Sequence, residues 1–302
     1  MTTLRKFILS ADWHCVQTRP AARLDPSWLE SQRQAIQFLV SQAIKHSCPL
    51  VAVGDLFDHP KVGTEVVNMV IEELNTLRSQ GQEFYLIAGN HDLEGNLVTN
   101  APKCSVGTLL SIFPRIPNIP GVQSAPHFGE DIDPDASVVF SHQLVFKDES
   151  SRPPMVKGRT AQELLDSLPS AQWVFVGDLH HSWVYKAPDG RHVVSPGNMI
   201  AHNASMIEVG AKCALIDLDA PGSEVTWIEI PDDPAMLTRD HLDAKAAKVD
   251  RLAGFMERVK EAGGHTLTFK DKLEARMGLK DITEPQSRAF RTVKARATEV
   301  EK

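Results

Sequence analysis

The chain reads as an α/β protein whose core is a largely parallel, layered sheet with helices on its faces. Three observations predict this. Short apolar runs of strand length alternate with longer stretches of helical periodicity between Lys6 and Asp92, the β-α-β-α-β order that builds parallel sheets. The early runs each end in a polar cluster of Gly, Asp, Asn or His, where ligands gather on such sheets. The 302 residues are 42% hydrophobic and 24% charged, an ordinary globular balance that can build one large domain or two smaller ones.

Lys6 to Ser10 is a short apolar run bounded by Asp12-Trp13-His14 and reads as a buried strand. Asp25-Pro26 reads as an N-cap with a first-turn proline, opening a helix whose apolar face is Trp28, Leu29, Ile36, Leu39, Val40, Ala43 and Ile44. Leu50 to Val53 is the second strand and ends at Gly54-Asp55. Thr64 to Gln80 is the second helix, with Val67, Val70, Ile71 and Leu74 inward and Gly81 as its stop. Phe84 to Ala88 is the third strand, ending at Gly89-Asn90-His91-Asp92.

Leu93 to Ala136 is rich in Pro, Gly and Asn and predicts loop with a short helix near Leu109. Val138 to Phe140 is a strand ending in Ser141-His142, and Asp148 to Lys157 is polar and reads as disordered. Trp173 to Val176 is a strand ending in Gly177-Asp178-Leu179-His180-His181. His192 to Ser195, Cys213 to Leu218 and Glu224 to Ile230 follow as further strands, with antiparallel pairing open to them. Pro231 to Pro234 marks a boundary between a body, 1–231, and a charged, mostly helical extension, 232–302, broken at Gly263-Gly264 and Glu284-Pro285. There are no repeats.

Composition narrows the class further. No apolar stretch is long enough for a membrane helix, and Met1 to Ser10 lacks the h-region and cleavage site of a signal peptide. Cys15, Cys48, Cys104 and Cys213 are scattered without a CxxC pair, as expected of reduced thiols in a cytoplasmic protein. Net charge is −7, divided as +4 from Arg239 to Lys302 and −11 over the remainder. An acidic body does not attract a polyanion unless bound cations or the basic tail offset it.

The polar clusters carry the chemistry. Residues two apart on an extended segment face one side, which lets Asp12 and His14, or Asp178 and His180, face one ion together. Carboxylate, amide oxygen and imidazole without thiolate suit Mn, Fe, Zn or similar ions. Taken singly, each cluster has a plainer reading: Asp55 as a helix N-cap, Gly89 to Asp92 as a tight turn, His142 as a core histidine. The remaining histidines, His46, His59, His127, His192, His202, His241 and His265, are expected to be structural or on the surface, with His202 the one that could line the site.

In order, the motifs D-x-H, G-D-x-x-D, G-N-H-D, a lone His after a strand and G-x-x-H resemble the calcineurin-like metallophosphoesterase superfamily over about Phe7 to Ile230. Gly54-Asp55-Leu56-Phe57-Asp58-His59-Pro60 and Ser195-Pro196-Gly197-Asn198 also resemble turns of the SbcD-type nuclease subunit of double-strand-break repair complexes. The resemblance implies a layered, β-sandwich-like core flanked by helices, with a helical C-terminal extension. It implies two divalent ions, Mn2+ first, with Mg2+, Fe2+ or Zn2+ as alternatives. Asp12, His14 and His180 would hold one, Asn90, His142 and position 178 the other, and Asp55 would bridge them. Where the family has His, this chain has Asp178. Either the site keeps its second ion with more negative charge, or that ion binds differently, using His181, which is also a candidate for substrate contact.

The implied reaction is phosphate-ester hydrolysis by a metal-bridging hydroxide. His91 would protonate the leaving oxygen and Asp58 would orient His91. Trp183 and Tyr185 are core residues or platforms for a nucleobase. Arg288, Arg291, Lys294 and Arg296 form a solvated helix face or a surface for docking a partner or nucleic acid. The expected function is a DNA exo/endonuclease subunit working with an SbcC-type coiled-coil ATPase docked on the extension, with a homodimer as a further expected assembly and no membrane role. The rivals are a phosphodiesterase or phosphatase acting on a small molecule, nucleotide or phosphoprotein, and a non-catalytic scaffold that lost its second ion through Asp178.

Overall fold

Among the described residues, eleven strands fall into two principal sheets and one small pair. The computed structural model describes residues 4–116, 124–203, 206, 209–222, 224–240, 242–243 and 250–251. The first compact unit is Met1–Arg239. In the second, Asp240–Lys302, residues 240, 242–243 and 250–251 are helical. The breaks at Gly263-Gly264 and Glu284-Pro285 and the basic positions Arg288 to Arg296 lie outside the described residues.

In chain order the elements are β1 (Lys6–Ser10), α1 (Trp28–Lys45), β2 (Leu50–Val53), α2 (Thr64–Ser79), β3 (Phe84–Ile87), α3 (Ser105–Ile112), β4 (Val138–His142), β5 (Val145–Phe146), β6 (Arg159–Thr160), α4 (Ala161–Ser167), β7 (Trp173–Gly177), β8 (Trp183–Lys186), β9 (His192–Ser195), β10 (Lys212–Asp217) and β11 (Val225–Glu229). One sheet runs β11-β10-β1-β2-β3 and the other β4-β7-β9-β8. β1, β2 and β3 are parallel, as are β4, β7 and β9. β10 pairs antiparallel with β1, β11 with β10, and β8 with β9. The sheet expected from the opening strands is therefore mixed and faces a second sheet.

Alternation along the strands explains the layers. Phe7, Leu9, Val51, Val53 and Ile87 from the first sheet meet Val138, Phe140, Phe175 and Val194 from the second in one cluster. Ile8, Leu50, Ala52 and Leu86 point the other way, into α1, α2 and α3. Val139, Val174, Val176 and Val193 point outward onto α4 through Leu164 and Leu165. Strands buried on both faces need apolar residues at every position, hence the continuous runs in the sequence. Phe7 sits at the centre, with ring centroids 5.5 Å from Phe140 and 5.2 Å from Phe175. Trp183 joins the outer cluster on the second sheet, so it packs as core.

Two local expectations meet the structure differently. Asp25 does not cap α1, whose N-cap is Ser27. Its carboxylate is taken by the buried Arg23 guanidinium at 2.7 Å from both Nε and Nη2 and by the Ser31 hydroxyl at 2.6 Å. The polar segment after Asp148 is ordered: Asp148 and Ser151 form a capping box on Glu149–Ser151, and Arg152 donates to the Gly158 carbonyl at 3.0 Å. The cysteines are buried and free, as expected.

Arg23 also ties the chain beyond residue 231 to the body. It donates to Asp232 at 2.8 and 2.9 Å and to the Ala201 carbonyl at 2.9 Å. The Leu24 N–H donates to the Met236 carbonyl and the Thr238 N–H to that of Ala22, both at 2.8 Å. No described helix is long and apolar enough to cross a membrane. Arg23→Met strips two carboxylates of their shared cation, and breaking a buried pair costs about 3–5 kcal/mol. Urea denaturation should register a loss of that order; an unchanged midpoint would show the network to be energetically idle.

Candidate metal centre

All five polar clusters lie at the carboxyl ends of parallel strands, on both sheets. The first two turns are zipped together by main-chain bonds: Asp12 N–H to Gly54 O at 3.1 Å, His14 N–H to Asp55 O at 3.0 Å and Cys15 N–H to Leu56 O at 2.9 Å. Asp12, His14, Asp55 and Asp178 all have positive φ, at 51°, 46°, 52° and 89°. Such backbone costs about 1–3 kcal/mol per non-glycine residue and persists only where the surroundings over-determine it. It also overturns the extended-strand argument for Asp12 and His14, because left-handed residues do not alternate faces.

Asp55 is the centre. Its Oδ1 accepts the His91 N–H at 2.9 Å, and its Oδ2 lies 3.2 Å from His142 Nε2 and 3.8 Å from His14 Nε2. His142 Nε2 is also 3.0 Å from Asn90 Oδ1 and 3.9 Å from Asp178 Oδ1. His14 Nε2 is 3.1 Å from His180 Nε2. Among the described residues, three sets offer ligand atoms within 4.8 Å of one another: Asp12, Asp55 and His142; His14, Asp55 and His91; His14, His180 and His202. Asp12 thus groups with His142, whereas the resemblance places it with His14.

The imidazoles share one orientation. His142 Nδ1 meets the Val53 carbonyl at 2.8 Å and His91 Nδ1 the Asp58 carbonyl at 2.9 Å. A carbonyl only accepts, so Nδ1 carries the proton and Nε2 is left toward the site. His14 Nδ1 lies 3.2 Å from the Asp58 carboxylate. Asp58 therefore orients His91 through its main chain, while its side chain faces His14 and the exposed His59.

Charge is concentrated. Burial pushes the Asp12 carboxyl well above its ordinary value, and neighbouring Asp55 adds to the rise. Burial also works against ionised Asp55, yet the His142 imidazole holds it down to about 2. His142 moves the opposite way: burial opposes its charge, but Asp55 outweighs this and lifts it to about 10. Burial, aided by His14, drives His180 down to about 3 and His202 to about 4, so both stay neutral at neutral pH. The donor set fits divalent cations. Asp12 and Asp55 are buried beside half-buried Asp178, and among the described residues Asp12 takes hydrogen bonds from one donor, the Asp178 N–H at 3.1 and 3.2 Å. Nitrogen and oxygen donors without thiolate suit the ions named above.

Two residues were under-read from sequence. Asp92 is fully buried and accepts N–H groups from Leu56 at 3.2 Å, Phe57 at 2.9 Å and Gly89 at 2.9 Å, stapling the turn after β2 to the turn after β3. Burial lifts its carboxyl to about 7 against those bonds. Its place as fourth letter of the Gly89 cluster was the available signal. His202 is not merely lining: its ring centroid is 4.8 Å from both His14 and His180. His181 is exposed and belongs to none of the three sets. His127 accepts the Ala88 N–H at 2.6 Å and His192 stacks on Trp173 at 4.1 Å, both structural. His241 and His265 lie outside the described residues.

The sequence profile of the calcineurin-like phosphoesterase family matches residues 5–195. No curated protein matches the sequence. Among solved structures, a dimetal phosphatase from Danio rerio is 13% identical with a TM-score of 0.46, covering 76% of this chain and 100% of that one. A metallophosphoesterase from Sphaerobacter thermophilus is 14% identical with a TM-score of 0.35, covering 80% and 94%. The protein TT1561 of Thermus thermophilus is 10% identical with a TM-score of 0.43, covering 76% and 100%.

Close approach explains two glycines. A Cβ on Gly89 would stand 2.1 Å from Asp55 Oδ1 and 2.5 Å from the Asp55 main-chain nitrogen; one on Gly54 would stand 2.1 Å from His142 Nδ1. Gly89→Ala must shift the Asp55 turn, at an overpacking cost of about 1–3 kcal/mol. A lowered melting temperature together with loss of bound metal is expected, and wild-type values for both would refute the crowding argument.

Proposed function

The chain belongs to the calcineurin-like phosphoesterase family, metal-dependent phosphoric ester hydrolases built on a dimetal centre, and we propose that it cleaves DNA phosphodiesters as an SbcD-type exo/endonuclease subunit. The observation that carries the phosphoesterase reading is the convergence on Asp55 of donors from both sheets. In this reading Asp55 is shared between a side lined by His14 and His180 and a side lined by Asp12, Asn90, His142 and Asp178. Two cations bound there would acidify a water and neutralise phosphate oxygens.

The chain's own residues do the rest. His91 holds its Nδ1 proton on the Asp58 carbonyl, which turns Nε2 away from that bond; when Nε2 is protonated it can donate to a phosphate oxygen or pass its proton to the leaving oxygen. Asp92 and the zipped turns keep Asp55 and His91 in register. Support for the nuclease branch is the pair of turns at Gly54 to Pro60 and Ser195 to Asn198, the first carrying Asp55 and the second followed directly by Met199, whose N–H donates to the Asp12 carbonyl at 3.3 Å. A coiled-coil ATPase of SbcC type docked on the basic extension would complete the assembly and bring the DNA to an acidic body. That body, at −11 from Met1 to Thr238, is the observation that favours a small-molecule phosphodiesterase as the second reading.

His91→Ala should retain its metal while turnover falls about 10²–10⁴-fold, the contribution of a positioned acid; full activity would remove His91 from the mechanism. Hydrolysis assayed in Mn2+ against linear duplex DNA, single-stranded DNA, a nucleotide and bis-p-nitrophenyl phosphate decides the substrate. DNA cleavage is expected. Intact DNA beside rapid nucleotide turnover would replace the nuclease by the small-molecule reading.

A further inference from the structure

We propose that His202 is an additional ligand for the ion on the His14–His180 side, making that side a three-imidazole site completed by Asp55. The inference rests on the metal-centre reading above.

Three features point to it. Ligand nitrogens of His14, His180 and His202 lie within 4.8 Å of one another, those of His14 and His180 at 3.1 Å; two bonds of roughly 2.0–2.1 Å reach at most about 4.2 Å, so a side-chain shift of about half an ångström suffices to bring the third nitrogen onto the same ion. Their ring centroids form a near-equilateral group, 5.0, 4.8 and 4.8 Å apart. His202 also repeats the tether of the other site histidines: its Nδ1 faces the Ile200 carbonyl at 3.4 Å, which leaves Nε2 as the ligand atom.

The loop that presents His202 is built to hold it. Ser182 Oγ donates to the Pro196 carbonyl at 2.6 Å, the Asn198 amide donates to the Ile200 carbonyl, and the Met199 N–H donates to the Asp12 carbonyl at 3.3 Å. The residue before His202 is gripped from both ends: Arg23 holds the Ala201 carbonyl at 2.9 Å and Asp232 accepts its N–H at 3.4 Å. Arg23 is thus the clamp that fixes the loop, and Asp232 couples the start of the extension to the same point. An ordinary core histidine needs hydrogen-bond partners for its ring, not two further imidazoles at contact distance.

The consequence is an asymmetric centre. One side is rich in imidazole, and the other combines Asp12, Asn90 and Asp178 oxygens with a single imidazole, His142. Imidazole-rich sites suit Zn, Fe, Co or Ni, whereas carboxylate and amide oxygens suit Mn and Mg.

The test uses metal-depleted full chain, titrated calorimetrically with Zn2+ and with Mn2+, and with Co2+ followed by visible absorption. Wild type should bind two ions. His202→Ala and the shape-conserving His202→Gln should keep one at wild-type affinity and weaken the other at least about tenfold, with an altered Co2+ spectrum. Thermal melts of the metal-free variants that match wild type exclude misfolding. Two ions of unchanged affinity and spectrum in both variants would overturn the role of His202 alone. A wild type that binds no ion would overturn the metal-centre reading, and the inference with it.

Discussion

The contact between the Asp55 carboxylate and the His142 imidazole joins the end of one sheet to the end of the other. Asp55 follows β2 and His142 closes β4, and 3.2 Å separates them. The ring is pinned from behind by the Val53 carbonyl at 2.8 Å. It fits only because Gly54 and Gly177 lack side chains, since a Cβ at either would stand 2.1 or 2.6 Å from Nδ1. The Phe7, Phe140 and Phe175 cluster sets how closely the two sheets approach, and a packed aromatic core resists sliding. Core packing thereby fixes a distance between titratable groups that no local segment controls.

That junction is costly in isolation. It gathers carboxylates in a low-dielectric setting and holds four of the site residues at positive φ. Surrounding bonds offset the strain. The turns after β1 and β2 are zipped main chain to main chain, and Asp92 collects three N–H groups from two turns. Excess negative charge and tethered imidazoles are what a divalent cation requires of its surroundings, so the same arrangement that burdens the fold suits it to bind metal.

The acidic body poses a question of substrate approach. A phosphate ester reaching the site meets repulsion that bound cations must cancel locally, while the net positive charge lies in the extension from Arg239 onward. Arg23 bonds both to the strand-end loop bearing His202 and to Asp232, so the beginning of the extension and the metal-facing loop share one buried guanidinium.

Much was legible in the sequence. β1, β2, β3 and β9, both long helices and the polar clusters could be read directly, because continuous apolar runs report strands buried on two faces and clusters report their ends. The small elements β5, β6, β8 and α4 were not, since short half-buried segments carry too little periodicity. Sequence alone determined which residue types end which strands, and so the chemical class of the site. Only the tertiary structure decided that β10 lies beside β1, that Asp12 groups with His142, that the Asp58 side chain faces His14, and that His202 closes on His14 and His180. These depend on how two sheets pack and how left-handed turns aim their side chains, and neither property is encoded in the spacing of residues along the chain.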